Sequence, residues 1–355
     1  MWTNLLAAGA ALFHVASACT SYGIDFKGNG HYFINKNSNE SFTAVSEFYD
    51  CTGTANIILI APDGDSFYCS DVPTTPDYTD AVTTTTTISL HSNDPTPSIG
   101  RAIALQLATR GCSVLGTCSG PDSLILIDSL AHTVSKLYSG HTSPPKVVGV
   151  AANITQTDCA QKIVQALEKN FDGLVDILVN NAAHPIRAKI GEIEPQMVTD
   201  VMMANVQTPT MIVNEFVKKK MFRTSSRIVN IGSDSARASI PGLPGRSLYT
   251  TFKSALEGLA RAWADELGAN PELEFMKGTT ANTVAVGFTE TDMVSKMPPL
   301  MREAVNQNVL AKQSLGPRAA LPEDIADVVG FLCGPDSRWV TGSVVSADGG
   351  MVKIM

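Results

Sequence analysis

Residues 228–233 read Ile228-Val229-Asn230-Ile231-Gly232-Ser233, and after a loop-like stretch, Pro241-Gly242-Leu243-Pro244-Gly245-Arg246, come Tyr249-Thr250-Thr251-Phe252-Lys253. The first piece is a short apolar run rich in β-branched residues and bounded by a turn, the pattern of a strand buried on both faces. The last piece opens a helix. Phe252, Leu256, Leu259, Trp263 and Leu267 recur at helical spacing, so one stripe is buried, and Gly268 is placed as its C-cap. Tyr249 and Lys253 stand four apart and share one helical face, one turn from each other. An ammonium there favours the phenolate and draws a tyrosine pKa from about 10 towards the working range of a general acid–base. A hydroxyl directly after the strand, Ser233, can donate to the same substrate oxygen. Alone the Tyr–Lys spacing is weak, since about 0.3 such pairs arise by chance in a chain of this composition, so its setting decides.

That setting is an alternation of strand-like and helix-like stretches from Ile99 to the C-terminus. Residues 100–111 read as a helix closed by glycine and 112–117 as a strand; Val147 to Ala151 and Val175 to Val179 are short apolar strands. The pattern implies an α/β fold, a doubly wound parallel sheet of Rossmann-like type. Composition agrees with a globular chain. With 44% hydrophobic and 17% charged residues and a net charge of −8, the chain has enough apolar content to exclude disorder as its main state. It carries no basic surplus for nucleic acid. No apolar run reaches the roughly 18 residues of a membrane helix, and seven cysteines are too few for a disulfide scaffold of this size.

The N-terminal part differs in texture. Residues 1–18 hold an apolar stretch, Leu5 to Val15, followed by Ala16-Ser17-Ala18; this is a secretory-signal pattern without a basic n-region, the first cation being Lys27. Residues 19–80 read as a small irregular or β segment with Cys19, Cys51 and Cys69 and a sequon at Asn39-Glu40-Ser41. Residues 81–98 form a Thr/Pro-rich join, in which Thr84 to His91 could also be an extended strand.

Residues 99–355 resemble the short-chain dehydrogenase/reductase family, and are most similar to fungal members. The motifs stand in order: Ile99-Gly100 ending the cofactor loop, Asn180-Asn181-Ala182-Ala183, Asn205, the strand ending in Ser233, Tyr249-x-x-x-Lys253, Thr291-Asp292-Met293, and Trp339-Val340-Thr341-Gly342 to Asp348-Gly349-Gly350. The resemblance implies an oxidoreductase that interconverts a carbonyl and a secondary alcohol. Tyr249 would exchange the proton, Ser233 (or Ser235) would position the substrate oxygen, Lys253 would bind the nicotinamide ribose and hold down the Tyr249 pKa, and Asn205 would hold a water linking Lys253 to solvent. Cofactor contacts would come from Ile99, Gly100, Thr117, Cys118, Ser119, Asn153, Asn181, Ala182, Tyr249, Lys253, Gly287 and Thr291. No carboxylate follows the second strand, at Gly116-Thr117-Cys118-Ser119, which favours NADP(H) over NAD(H), with Arg101 and Arg110 as helpers. No metal is implied. A small-molecule partner and a homodimer or homotetramer are implied. Met and Leu around the substrate end, including residues 288–299, imply a medium-sized, largely apolar ligand. Reduced nicotinamide favours a cytoplasmic setting, whereas residues 1–18 point to export.

The phosphate loop departs from the family. Its positions read Asn93-Asp94-Pro95-Thr96-Pro97-Ser98-Ile99-Gly100, so only the last glycine remains. Asp94 brings a carboxylate towards a diphosphate, Ser98 adds a side chain, and two prolines remove amide donors. At about 1.4 kcal/mol per tenfold, a few kcal/mol here would weaken nucleotide binding a hundredfold or more. The first strand lacks its usual apolar run. Val286 replaces the proline of a Pro-Gly turn, Asn153 stands in place of an aspartate, and residues 270–277 read as an insertion. Together these imply a secreted-type segment joined to a reductase with a degenerate first strand and loop. The alternative reading is therefore a non-catalytic or impaired relative that holds the nucleotide poorly.

Overall fold

The computed structural model describes residues 98–239, 243–291, 294, 297 and 299–353, and within residues 1–97 the backbone of short strands only. The chain divides into two compact units, residues 1–80 and 81–355. In the first unit the strands pair antiparallel, Gly9–Leu12 with Ile57–Ile60 and Thr20–Gly23 with Ser46–Tyr49. The Ala16-Ser17-Ala18 site, Cys19, Cys51, the sequon and the loop residues 93–97 lie outside the described residues.

The second unit is built on seven parallel strands. In chain order these are β1 (Thr83–Thr87), β2 (Ser113–Cys118), β3 (Val147–Ala151), β4 (Val175–Asn180), β5 (Phe222–Ile231), β6 (Thr280–Val286) and β7 (Val344–Ala347). They lie in the order β3-β2-β1-β4-β5-β6-β7, with every neighbouring pair parallel. The fold is thus the doubly wound, Rossmann-like sheet that the alternation implied. The first strand is threonine where such strands are usually aliphatic. Thr84 pairs with Val114 on one side and Ile177 on the other, so β1 sits at the sheet centre. Threonine is β-branched and suits a pleated backbone. The order reverses between β1 and β4, which opens a crevice at the carboxyl ends of the strands.

Helices α1 (Ile99–Thr109), α2 (Leu124–Leu137), α3 (Cys159–Asn170), α4 (Pro195–Met202), α5 (Thr208–Lys218), α6 (Ser247–Glu266), α7 (Pro299–Asn308) and α8 (Pro322–Cys333) flank the sheet. Helix α1 ends as read, with Gly111 left-handed at φ 85°. Along α6, Phe252, Leu256, Ala260 and Trp263 are buried, as is Leu267 beyond its end, and Leu259 packs partly buried against the same core. Gly268 has a different role from the one expected. It is not left-handed; a Cβ there would meet the Thr279 carbonyl oxygen at 2.2 Å, so the residue allows a close backbone approach.

Candidate active site

Two cavities open where the strand order reverses. The larger, about 230 Å³, is bounded by Ile99 at the start of α1, Asn181 after β4, Gly232 and Ser233 after β5, Tyr249 and Lys253 of α6, and Gly287 and Thr291 after β6. The second, about 190 Å³, is bounded by Thr117, Cys118 and Ser119 at the end of β2, Asn153 after β3 and Ala182 after β4. Ala183 borders both. Of the expected site residues, Gly100 and Asn205 line neither.

Ser233 follows directly from the strand. Its hydroxyl donates to Asp234 Oδ1 at 3.1 Å and accepts the Ser235 N–H at 3.2 Å. Ser235, the alternative serine, faces a separate hollow with Arg237 and Thr250, which places Ser233 at the Tyr249 cavity. Lys253 is buried and donates from Nζ to the Ile231 carbonyl at 2.6 Å, so it ties α6 to the end of β5. Burial without a carboxylate pulls its pKa from 10.5 down to about 8.

The expectation that Lys253 lowers the Tyr249 pKa is not met in this structure. Burial dominates and raises the phenol above its ordinary value. The groups opposing it are the Ser233 hydroxyl and, as cations, Arg246 and Arg187. Physically, the Lys253 ammonium lies 5.9 Å from the Tyr249 ring centroid and is turned to a main-chain oxygen. The Arg246 guanidinium lies 5.5 Å from the same centroid. Arg246, Tyr249 and Lys253 occupy positions i, i+3 and i+7, one continuous helical face. That spacing was readable from the sequence; the preceding Pro/Gly run hid where the helix began.

Asn205 sits in a π-helical turn, Met203–Gln207, between α4 and α5. Its amide accepts the His184 N–H at 2.8 Å and donates to the carbonyls of His184 at 3.0 Å and Val201 at 2.8 Å. It therefore fixes the strand-end segment that borders both cavities. Its side-chain groups are used on the backbone, not at the cavity surface.

Two asparagines that stand in the quoted motifs without an assigned role, Asn180 and Asn230, link the strands beneath the site. Asn180 donates to Asn230 Oδ1 at 2.8 Å, and Asn230 donates to the Leu256 carbonyl at 3.0 Å. The two are register partners in β4 and β5 and both are buried. The only sequence signal was an amide set against apolar neighbours, after Val179 in β4 and between Val229 and Ile231 in β5, which in a dry interior demands a partner.

Whether a dinucleotide fits can be judged from the same atoms. Gly287 lets β6 pass β7 closely, since a Cβ would meet Asp348 Cα at 2.6 Å, and Gly232 likewise faces Thr283 Cγ2 at 2.6 Å. These two glycines keep the crevice floor as bare backbone. In the second cavity Asn153 uses Oδ1 on the N–H and hydroxyl of Thr155, at 3.0 and 2.9 Å, and leaves its amide N–H groups to face a ligand. Thr117 and Ser119 add hydroxyls, and no carboxylate is among the lining residues. Cys118 is buried and its thiol is raised by that burial. The residues fit a dinucleotide. Arg101 and Arg110 do not help to hold it: Arg101 reaches Thr133 Oγ1 on α2 at 3.1 Å, and Arg110 the Gly330 carbonyl on α8 at 2.8 Å. Ser98 caps α1, accepting the Arg101 N–H at 3.2 Å, which occupies one donor of the helix N-terminus. Among the described residues no helix is long and apolar enough to cross a membrane.

A family profile described as enoyl-(acyl carrier protein) reductase matches residues 96–352. The short-chain dehydrogenase/reductase FrzI of Cladobotryum sp is 35% identical over 261 residues, covering 72% of this chain and 92% of that protein. A blue fluorescent protein from a metagenomic library, solved in complex with NADPH, superposes with a TM-score of 0.63 at 29% identity, over 77% of this chain and 99% of that one. The angucycline C-6 ketoreductase LanV, solved with bound NADP, superposes with a TM-score of 0.61 at 26% identity, over 76% and 95%. This chain belongs to the short-chain dehydrogenase/reductase family. As such it is an oxidoreductase acting on CH–OH groups with NAD(P).

Proposed function

We propose that the chain interconverts a carbonyl and a secondary alcohol with NADP(H), Tyr249 serving as the acid–base. The observation that carries this reading is the convergence of Ser233, Tyr249 and Lys253 on one cavity, also lined by Asn181, Gly287 and Thr291, which shares Ala183 with a second cavity suited to a nucleotide. When bound, the nicotinamide would supply or accept the hydride.

The chain's own residues would handle the proton and the geometry. Ser233 donates to the substrate oxygen and fixes its direction. Tyr249 gives that oxygen its proton during reduction; a phenol raised by burial is held protonated and ready to do so. Arg246 and Ser233 stabilise the phenolate that remains, and Lys253, with its pKa near 8, can restore the proton. NADP(H) over NAD(H) is supported by the lack of a carboxylate among the lining residues of the second cavity. Assembly as a homodimer or homotetramer belongs to the same reading.

The capped helix start at Ser98 favours a second reading, in which the same chemistry runs on weakly held nucleotide. The first reading is tested by assaying a panel of ketones with NADPH: Tyr249→Phe is expected to lower kcat by about 10²–10⁴ with nucleotide affinity nearly unchanged. Retained turnover would remove Tyr249 from the acid–base role.

A further inference from the structure

Four charged side chains border the Tyr249 cavity: the cations Arg187, Arg246 and Lys253, and the carboxylate Asp234. Two of them are committed. Lys253 donates to the Ile231 carbonyl. Asp234 accepts hydroxyls from Ser233 and Ser235, each at 3.1 Å, and burial holds its carboxyl above the usual range, which weakens it as a counter-ion. Of the two arginines, Arg246 feels the Asp234 charge but forms no direct ion pair with it. Arg246 meets the Ser235 hydroxyl, and Arg187 meets the Met301 thioether sulfur at 3.5 Å. Neither has a carboxylate at ion-pair distance among the described residues.

A guanidinium stays charged in any protein environment and presents a planar fork that matches a carboxylate. Two forks on one cavity repel each other, and the repulsion is relieved when an anion enters between them. Arg246 stands beside the Tyr249 ring, so an anion it holds lies within a few bonds of the carbonyl that receives the proton. The sequence implied a largely apolar ligand, and Leu243, Met297, Val305 and Val309, which line the same cavity, keep that feature. The polar end was not foreseen.

We propose that Arg187 and Arg246 form an anion subsite for a carboxylate carried by the substrate, so that the enzyme acts on an oxo-acid or hydroxy-acid with an apolar body. The inference rests on the reductase reading for its carbonyl, but not for its binding. The test therefore measures both. Two acid–ester pairs serve as probes, benzoylformate and levulinate, each against its methyl ester.

Calorimetric titration of the full chain without nucleotide is expected to show at least one acid binding about tenfold or more tighter than its ester. Arg187→Met, on an exposed side chain and so little threat to folding, is expected to bring that ratio close to one. Arg246→Lys is expected to keep part of it, because charge remains while the fork is lost. In turnover with NADPH the acid-to-ester ratio of kcat/KM should follow the same order. Acid preference in neither pair, or a preference that survives Arg187→Met, overturns the subsite. Discriminating binding with no turnover of either compound leaves the subsite standing and removes the reductase reading; equal turnover of acid and ester does the reverse.

Discussion

The side-chain amide of Asn230, the next-to-last residue of β5, donates to the main-chain oxygen of Leu256 at 3.0 Å. That bond helps to join the sheet to the helix bearing Tyr249 and Lys253, at a residue three beyond Lys253 along the chain. Thr283 of β6 reaches the same oxygen at 3.4 Å, and Asn180 of β4 supplies the donor to Asn230 Oδ1. Two adjacent strands thus reach one carbonyl, and a third is tied to it through Asn230. Replacing Asn230 by Leu leaves the Asn180 amide without its acceptor in a dry interior. The expected cost is about 1–3 kcal/mol of stability, read from the urea midpoint, with a fall in kcat larger than any rise in KM as α6 loses its seat. A midpoint and a kcat both equal to wild type would show that the ladder positions nothing.

Lys253 should make stability depend on pH. Its pKa is about 8 in the fold against 10.5 when exposed, so between those values the unfolded chain binds the extra proton. Stability contributed by this residue therefore rises as pH rises from 8 towards 10.5, and is lost as pH falls through 8. Over that window the advantage of wild type over Lys253→Met should grow by a figure on the order of 3 kcal/mol. Urea denaturation at matched pH values without nucleotide measures it, and a constant difference would contradict a buried, desolvated ammonium.

Arg246 opposes the upward pull of burial on Tyr249. Its replacement by Gln should move the apparent basic pKa of kcat/KM upwards, measured in alcohol oxidation with an uncharged substrate. A profile unmoved in Arg246→Gln would assign the tuning elsewhere.

On the proposed reading, the altered phosphate loop should set nucleotide affinity. Replacing Asp94 and Ser98 together by Gly removes a carboxylate and frees the Arg101 N–H, at a capping loss of only a few tenths of a kcal/mol. NADPH should bind at least about tenfold tighter in the double variant. No gain in a fluorescence titration would mean that these positions do not meet the diphosphate.

Much of the fold was legible because its signals are local. The apolar run at 228–231, the stripe from Phe252 to Leu267 and the Tyr249–Lys253 spacing each need only one element to be read. The first strand was legible only as an alternative, since Thr83–Thr87 has β-branching but no apolar face. What escaped depends on partners distant in the chain: Asn180 meets Asn230 fifty residues on, and Arg101 and Arg110 find acceptors on α2 and α8 in place of a phosphate. The π turn holding Asn205 has no sequence signature, so the bonds of its side chain to the His184 backbone were not foreseen. Charge at the substrate end escaped for a related reason, because Arg187 and Arg246 come from separate segments and meet only across the cavity.

The account stands on a nucleotide docking beside Tyr249, and one measurement addresses it directly. The full chain is titrated with NADPH while nicotinamide fluorescence is followed, in parallel with Gly287→Val, whose side chain would strike Asp348 and displace the segment after β6 that borders the cavity. Saturable enhancement in the wild type below millimolar nucleotide, diminished in Gly287→Val, is the predicted result. A response that climbs without saturating up to millimolar NADPH, alike in both proteins, would contradict it.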